Sequence, residues 1–370
     1  MFAMARLNVL VVVGTRPEVV KMAPVVAALR PSARLRATVV GTAQHRGLMD
    51  QMLETFGLKL DYDLDLMRRD QTPAQVLSGA VERLAPVLRK EKPALVLVQG
   101  DTTTALGAAL CSFYQRVPVG HVEAGLRSFD LTRPFPEEGN RVLIDRVADL
   151  MFAPTRESRA NLLAEGLSAR KISVTGNTVV DAVQWLLKRA PAGFPAPLRR
   201  FLACDGPKVI MTMHRRESFG APMREVFAAV KRLLSEYPRL RLVYPVHPNP
   251  NVRGPAEKHL RHPRILLTPP MRYPVFIHTA KACDLILSDS GGVQEEAPSL
   301  GVPVVILREV TERPEVLRTG LAVLAGTDPA KILRHARRFL AQGRRRAVRS
   351  PFGDGRAGQR IVKQVLDFLD

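Results

Sequence analysis

Acidic side chains at the ends of apolar runs are the residues of this sequence whose types and spacing could perform chemistry. Asp101 follows ALVLVQG, Glu123 follows PVGHV, and Glu137 follows two prolines in PFPEEGNR. Each carboxylate on its own could simply cap a helix or complement the charge at its start. General acid and base catalysis, however, needs titratable groups that converge from different elements, and these three fit that requirement.

Cations and histidines follow other apolar runs. GTRPEVVKMAP places Arg16 and Lys21 at a helix start, which predicts an anion site there. The segment lacks the three-glycine dinucleotide fingerprint, so it gives no support for NAD. In the second half, His214 and Arg215 follow one buried run, and His247 follows the next. Such a histidine could donate a proton or bind phosphate, or it could merely hydrogen-bond a neighbouring carbonyl.

The stretch SDSGGVQEEAPSLGVP is the most informative part of the sequence. An apolar run leads into Ser290, Gly291 and Gly292, and a helix follows. Small residues let backbone N–H groups approach phosphate oxygens, and the helix dipole favours an anion, so we predict a diphosphate site. Glu296 would suit ribose hydroxyls or stand as a surface charge, and Arg313 in TERPE adds a cation.

The elements that must position these groups are parallel strands alternating with helices. Six short runs rich in Val, Leu and Ile in each half are separated by segments of helical periodicity, which is typical of an α/β fold with doubly wound sheets. We predict an N-terminal domain at 1–176, a proline-rich connection at 177–206, a second domain at 207–352, and a C-terminal helix at 353–370. The sequence leaves open which domain this helix packs on.

Composition narrows the class of protein. The net charge of +20 would ordinarily suggest nucleic acid, but arginine far outnumbers lysine and aromatic residues amount to 5%, so we expect no nucleic-acid partner. No apolar run approaches the ~20 residues that span a bilayer. The three cysteines, Cys111, Cys204 and Cys283, are scattered and lack metal-ligand spacing, which predicts a cytoplasmic protein without a structural metal.

Taken together, GTRPEVVKMAP, HVEAGLRS, PFPEEGNR, HRRES, SDSGGVQEEAPSLGVP and TERPE resemble the non-hydrolysing UDP-N-acetylglucosamine 2-epimerase family over nearly the whole chain. The resemblance implies two Rossmann-like domains with a central cleft, as in two-domain glycosyltransferases. It also implies a homodimer that interconverts UDP-GlcNAc and UDP-ManNAc, without NAD or metal, for surface polysaccharides. The implied mechanism is elimination of UDP and its re-addition to a glycal intermediate.

The resemblance also implies residue roles. The implied catalytic residues are Asp101, Glu123, Glu137 and His214, and the implied substrate-binding residues are Arg16, Lys21, Arg215, His247, Phe276, Ser290, Gly291, Gly292, Glu296 and Arg313. Phe276 would lie near uracil, although Met271 and Arg272 stand where relatives often have Gln and Glu.

Many bacterial members of that family also bind UDP-GlcNAc as an activator. The matching positions here are Gln44, His45, Glu137, Arg215 and His247. Gly47 and Asp70 stand where relatives often have Gln and Arg. Two alternatives remain open at this point: a hydrolysing epimerase that releases ManNAc and UDP, and a nucleotide-sugar glycosyltransferase of the same fold. A nucleic-acid-binding protein is the alternative from another class.

Overall fold

The chain folds into two compact α/β units in a computed structural model, which describes residues 6–42, 46–68, 70–190, 193–343 and 350–370. Unit 1 comprises residues 1–182 and 352–370, and unit 2 comprises residues 183–351. The chain leaves unit 1 inside helix α7, within the predicted connection, and it returns between Pro351 and Phe352.

Unit 1 contains a seven-stranded parallel sheet in the order β3-β2-β1-β4-β5-β6-β7. Its elements are β1 (Leu7–Val13), α1 (Arg16–Leu29), β2 (Leu35–Gly41), α2 (Arg46–Phe56), β3 (Tyr62–Asp63), α3 (Pro73–Glu91), β4 (Leu95–Gln99), α4 (Thr103–Tyr114), β5 (Val119–Val122), α5 (Glu137–Val147), β6 (Leu150–Ala153), α6 (Arg156–Ala164), β7 (Ile172–Val174), α7 (Thr178–Leu187) and, at the C-terminus, α14 (Ala357–Leu369).

Unit 2 contains a six-stranded parallel sheet in the order β10-β9-β8-β11-β12-β13. Its elements are α8 (Ala196–Ala203), β8 (Lys208–Thr212), α9 (Ala221–Glu236), β9 (Arg241–Pro245), α10 (Pro250–His259), β10 (Ile265–Thr268), α11 (Tyr273–Ala282), β11 (Leu285–Ser288), α12 (Gly291–Leu300), β12 (Val304–Ile306), β13 (Ala322–Leu324) and α13 (Pro329–Gln342). The two parallel sheets with alternating helices confirm the predicted α/β fold class.

Local sequence explains why these elements form. The inner strands are continuous apolar runs because both sheet faces are covered; all the residues of β4 and β11, for example, are buried. Helix starts carry the expected caps: Thr72 accepts the N–H of Gln75 at the start of α3, and Asp328 accepts two N–H groups at the start of α13.

Two features differ from the sequence prediction. The two-residue edge strand β3 was not predicted, because an element this short carries no measurable periodicity. The proline-rich connection predicted at 177–206 contains the helix α8. Its prolines are tolerated because Pro195 and Pro197 stand at the helix start, where no intrahelical N–H bond is lost, and Leu198 and Phe201 are buried on one side.

The C-terminal helix α14 belongs to unit 1, where it packs on α1. Asp181 caps its start by accepting the N–H groups of Ala357 at 3.1 Å and Gly358 at 2.9 Å. A Cβ atom at Gly358 would lie 2.8 Å from the Pro24 carbonyl oxygen, so the close helix crossing requires glycine there. The chain terminus is therefore part of the unit that carries Asp101, Glu123 and Glu137.

Candidate functional site

Three neighbouring strands of unit 1 bring its candidate groups to one edge of the sheet. Strands β1, β4 and β5 are adjacent and parallel, and they are followed by Gly14, Asp101 and Glu123. The carboxyl ends of parallel strands are where open α/β sheets bind ligands. A Cβ atom at Gly100 would lie 3.8 Å from Glu123 Oε2, so the backbone beside Asp101 runs close to the Glu123 carboxylate.

Glu123 is buried and is surrounded by hydrogen-bond donors. Lys21 Nζ and Asn177 Nδ2 donate to its Oε1, the latter at 2.9 Å, and Gln99 Nε2 donates to its Oε2. Its φ of 72° lies in the left-handed region, which costs a non-glycine residue about 1–3 kcal/mol and is concentrated at functional sites. The surrounding contacts therefore hold this carboxylate in a single, strained position.

Helix α5 positions Asp101. Arg141 donates to Asp101 Oδ2 at 2.6 Å, and Asn140 Nδ2 donates to the Asp101 carbonyl at 2.9 Å. Arg141 also pairs with the buried Glu138 at 3.2 Å. The Asp101 side chain remains 29% exposed, so it is oriented by α5 and is still accessible to a reactant.

Glu137 is the first residue of the same helix. Its side chain is half-buried, and its Oε2 atom is buried without a hydrogen-bond partner among the described residues. A buried carboxylate oxygen without a donor costs free energy, and active sites are where such groups persist. The structure thus associates Asp101 with the helix that begins at Glu137, and it places Glu123 at the adjacent strand end.

The start of α1 differs from the predicted anion site, because a carboxyl group of the helix itself occupies its N–H donors. Glu18 accepts the N–H groups of Gly14 and Thr15, the latter at 2.7 Å, and the hydroxyl of Thr102 at 2.6 Å. Burial raises the pKa of Glu18 despite these hydrogen bonds. Arg16, at the first position of α1, is half-buried.

A buried ionic network supports the Gly100–Asp101 turn. His121 lies with Nδ1 at 2.6 Å from Asp145 Oδ1 and Nε2 at 2.8 Å from the Gly100 carbonyl oxygen. Arg127 donates to Asp145 Oδ2 at 2.7 Å. Burial alone would raise the pKa of Asp145, but the charges and hydrogen bonds of His121 and Arg127 bring it below its ordinary value.

In unit 2, helix α12 begins at Gly291, and the side chain of Ser290, which precedes it, makes no capping hydrogen bond. The N–H of Ser290 donates to Ser288 Oγ at 3.0 Å. The guanidinium of Arg313 packs against this turn: a Cβ atom at Gly291 would lie 3.0 Å from Arg313 Nη1. Glu295 accepts from Arg313 Nε, and Glu312 Oε2 lies 3.3 Å from Arg313 Nη1. Although burial opposes it, Arg313 and Arg308 lower the pKa of Glu312 to about 2. A fixed cation and the start of a helix therefore lie side by side.

Two further predicted residues lie on the neighbouring helices α11 and α12. Glu296 is buried, and its Oε1 accepts from the Tyr273 hydroxyl at 2.8 Å. Phe276 lies on the same helix as Tyr273, and it too is buried. The Tyr273 hydrogen bond holds the Glu296 carboxylate in one orientation, as recognition of a pair of ribose hydroxyls would require.

The loop after β8 carries His214 and Arg215, and the loop after β9 carries His247. The His214 and His247 rings stack with centroids 5.7 Å apart and planes at 15°. Arg215 is half-buried, and its N–H donates to the Asp289 carboxylate at 2.9 Å. Gln44 and His45 lie outside the described residues.

Several residues of these sites were not singled out from the sequence. They are Glu18, Gln99, His121, Arg141, Asp145, Asn177, Tyr273 and Asp289. Gln99 ends β4 and Asp289 directly follows β11, so the strand-end signal that identified Asp101 and Glu123 would also have found these two. Within the described ranges, no group of three or more His, Cys, Asp or Glu side chains is arranged to hold a metal ion.

Comparison with known proteins identifies the family. The fold and the charged strand ends define a two-domain, Rossmann-like α/β protein. The same fold is found in MurG of Acinetobacter baumannii, which is 15% identical and has a TM-score of 0.59. The family profile described as UDP-N-acetylglucosamine 2-epimerase matches residues 27–366. The chain belongs to the UDP-N-acetylglucosamine 2-epimerase family, as the sequence motifs predicted.

Relatives and solved structures match over nearly their whole lengths. A UDP-N-acetylglucosamine 2-epimerase of Yersinia pestis is 45% identical over 369 residues, which cover 97% of this chain and 98% of that one. A Neisseria meningitidis UDP-GlcNAc 2-epimerase solved with UDP-GlcNAc has a TM-score of 0.89 at 38% identity, covering 98% and 100%. S. aureus MnaA, solved with UDP, has the same TM-score at 43% identity, covering 98% and 96%. These matches support an epimerase function.

No helix in the described part of the chain has the length and apolarity needed to cross a membrane.

Proposed function

We propose that the chain interconverts UDP-GlcNAc and UDP-ManNAc at carbon-2 without hydrolysing either one. The observation that carries this proposal is the difference between two helix starts. The N–H groups of Gly14 and Thr15 before α1 are engaged by Glu18, whereas at α12 the Ser290 side chain makes no capping hydrogen bond and Gly291 lies beside Arg313. A diphosphate therefore finds backbone donors and a cation in unit 2.

The nucleotide is held by unit 2 in this proposal. Ser290, Gly291 and Gly292 bind the diphosphate together with Arg313, and Glu296 binds the ribose. Phe276 contacts uracil, while Arg16, Lys21, Arg215 and His247 contact phosphate or sugar. UDP bound to the related S. aureus protein supports a uridine nucleotide as the ligand.

The proton transfers are performed by unit 1. One of Asp101, Glu123 and Glu137 removes the carbon-2 proton as the bond from carbon-1 to UDP breaks, which yields a glycal. Another carboxylic acid protonates the glycal from the opposite face while UDP adds back to carbon-1. His214 and the donors of unit 2 stabilise the departing diphosphate, and preorganised groups of this kind are worth about 3–4 kcal/mol each.

This route transfers protons and a phosphate leaving group but no hydride, so it needs neither NAD nor a metal. Release of free ManNAc would require water to add to the glycal or at carbon-1.

The proposal extends to regulation. UDP-GlcNAc acts as an activator at Gln44, His45, Glu137, Arg215 and His247, the positions that match the activator site of related bacterial enzymes. The stacking of His247 on His214 supports communication between the activator residues and the catalytic group. With UDP-ManNAc as sole substrate, turnover should then start slowly and accelerate on addition of a trace of UDP-GlcNAc.

The protein is a cytoplasmic homodimer in this proposal, and it supplies ManNAc units for surface polysaccharides. Its three cysteines are all free, which fits a reducing compartment. Unit 1 exposes several large apolar side chains on α4, on α5 and in the segment before α5: Phe113, Tyr114, Phe129, Leu131, Phe135 and Leu143. Such side chains are typical of subunit interfaces. Sedimentation velocity measures the oligomeric state.

Incubation with UDP-GlcNAc in deuterated water tests the reaction. We expect UDP-ManNAc labelled with deuterium at carbon-2, detected by NMR and mass spectrometry. Free ManNAc and UDP as the only products would identify a hydrolysing enzyme. Absence of turnover until an acceptor is added would identify a glycosyltransferase.

A further inference from the structure

Asp289 is a buried acid at the end of β11 that none of the roles above uses. Its side chain is completely buried, and its Oδ2 atom accepts three hydrogen bonds. The donors are the N–H groups of His214 at 2.8 Å and Arg215 at 2.9 Å and the hydroxyl of Ser218 at 3.2 Å. One carboxylate oxygen thus fixes the backbone of the loop that carries His214.

The second oxygen of Asp289 faces the His214 ring. Oδ1 is buried without a hydrogen bond from any residue that the structure describes, and His214 Nδ1 lies 3.5 Å away. An unsatisfied buried carboxylate oxygen costs about 1–3 kcal/mol or more, so a small approach of Nδ1–H to Oδ1 is favourable. The His214 side chain remains 41% exposed, which leaves it accessible to a ligand.

His247 completes the arrangement. Its Nδ1 accepts the N–H of Asn249 at 3.2 Å, so this nitrogen is engaged as an acceptor by its own loop. Its stacking partner His214 is the member of the pair whose Nδ1 lies beside a carboxylate.

We propose that Asp289 is a positioning residue that keeps a proton on Nδ1 of His214 and so leaves Nε2 to take up a proton and donate it to an oxygen of the substrate. The proposal rests on the proposed function insofar as His214 serves the epimerisation. An acid that fixes the tautomer of a histidine in this way orients the ring and stabilises its charged form.

The variant Asp289→Asn separates the two functions of the carboxylate, which are to accept the backbone N–H groups and to face His214 Nδ1. The amide oxygen can still accept the N–H groups of His214 and Arg215, but the amide nitrogen that replaces Oδ1 can only donate. Nδ1 of His214 must then accept, and its proton moves to Nε2. The ¹⁵N chemical shifts of the ring nitrogens, measured without ligand at a pH where the ring is neutral and assigned with His214→Asn, report this change directly.

Ser218→Ala is the matched control, because it removes one donor to Oδ2 and leaves Oδ1 untouched. We expect Nδ1–H in the wild type and in Ser218→Ala, and Nε2–H in Asp289→Asn. We also expect kcat to fall roughly 10²-fold in Asp289→Asn, with KM changed far less, since general acid–base groups contribute about 10²–10⁴-fold. Ser218→Ala should keep kcat within about twofold of the wild type, because Asp289 Oδ1 still faces His214 Nδ1 in this variant.

A proton on Nε2 of His214 in the wild type would overturn the proposal even if Asp289→Asn failed to fold. Equal losses of kcat in the two variants would overturn it as well. Absence of epimerisation by the wild-type protein would instead reject the proposed function, while the tautomer of His214 would still be measured.

Discussion

Lys21 and Glu123 form a buried ion pair that joins helix α1 to the end of strand β5. Both side chains are less than a tenth exposed, so each charge depends on the other for compensation. We expect Lys21→Met to lower the free energy of unfolding by about 3–5 kcal/mol, because it leaves a carboxylate buried without its cation. Urea denaturation followed by circular dichroism measures this loss.

The double variant Lys21→Met, Glu123→Gln provides the control for that pair. Removal of both charges should recover much of the stability, so the two single losses should not add. Fully additive losses would show that the two side chains are not energetically coupled.

The three carboxylates of unit 1 should matter for turnover far more than for UDP binding. We expect Asp101→Asn, Glu123→Gln and Glu137→Gln each to reduce kcat by about 10²-fold or more, because each removes a candidate proton-transfer group. UDP affinity, measured by calorimetry, should change by less than about threefold, because the residues proposed to hold the diphosphate and the ribose, Ser290, Gly291, Gly292, Arg313 and Glu296, belong to unit 2. Glu82→Gln, an exposed change on α3, serves as the control. Wild-type rates in all three variants would reject the assigned roles.

Gly291 should be intolerant of a side chain because Arg313 occupies the space beside it. A Cβ atom at Gly291 would lie 3.0 Å from Nη1 and 3.2 Å from Cζ of Arg313, so Gly291→Ala must displace the guanidinium. We expect UDP affinity to fall by about tenfold, the equivalent of about 1.4 kcal/mol. In Gly292→Ala the new Cβ meets only Ser290 Oγ, at 3.9 Å, so this variant leaves Arg313 in place. Equal losses in the two variants would show that Arg313 is not the cause.

The sequence predicts which residues lie at strand ends but not which partners they meet. Asp101, Glu123 and Ser290 follow apolar runs that fold as buried parallel strands, and the periodicity of those runs is visible in the chain itself. The partners of Glu123 are 102 residues away at Lys21 and 54 residues away at Asn177. Such pairings depend on the order of strands in the sheet, which no local pattern encodes.

The predicted anion site at the start of α1 also shows that the sequence does not reveal the partners of a group. Gly14 and the helix start correctly indicated a concentration of N–H donors, but the ligand proved to be Glu18, four residues further along. Sequence alone did not distinguish a helix start that caps itself from one that is open. The difference lies in side-chain geometry, which places Glu18 over its own helix start, while the Ser290 side chain at α12 makes no capping hydrogen bond.

Asp145 should stabilise unit 1 above acidic pH. Its pKa is lowered on folding, so its contribution is present above the unfolded value of 3.8 and is lost as the pH falls through the folded value. At neutral pH, Asp145→Asn leaves Arg127 and His121 without their shared anion and should cost about 3–5 kcal/mol. Thermal denaturation across a pH series measures this effect. The difference in stability between Asp145→Asn and the wild type should shrink below pH 3.8. A difference that is constant with pH would contradict the ionic role.

Glu18 should show the opposite dependence on pH in the same unit. Burial raises its pKa above the ordinary value of 4.5, so the stability it contributes is fully present below 4.5 and is lost as the pH rises through the folded value. Relative to Glu18→Gln, the wild type should therefore lose up to about 1.4 kcal/mol of unfolding free energy per pH unit within that window. Urea denaturation from mildly acidic to neutral pH measures the slope, with Glu82→Gln as an exposed control that should show none. If the wild type instead gained stability over Glu18→Gln as the pH rose, the hydrogen bonds from Gly14, Thr15 and Thr102 would outweigh the cost of burial, and Glu18 would be ionised throughout.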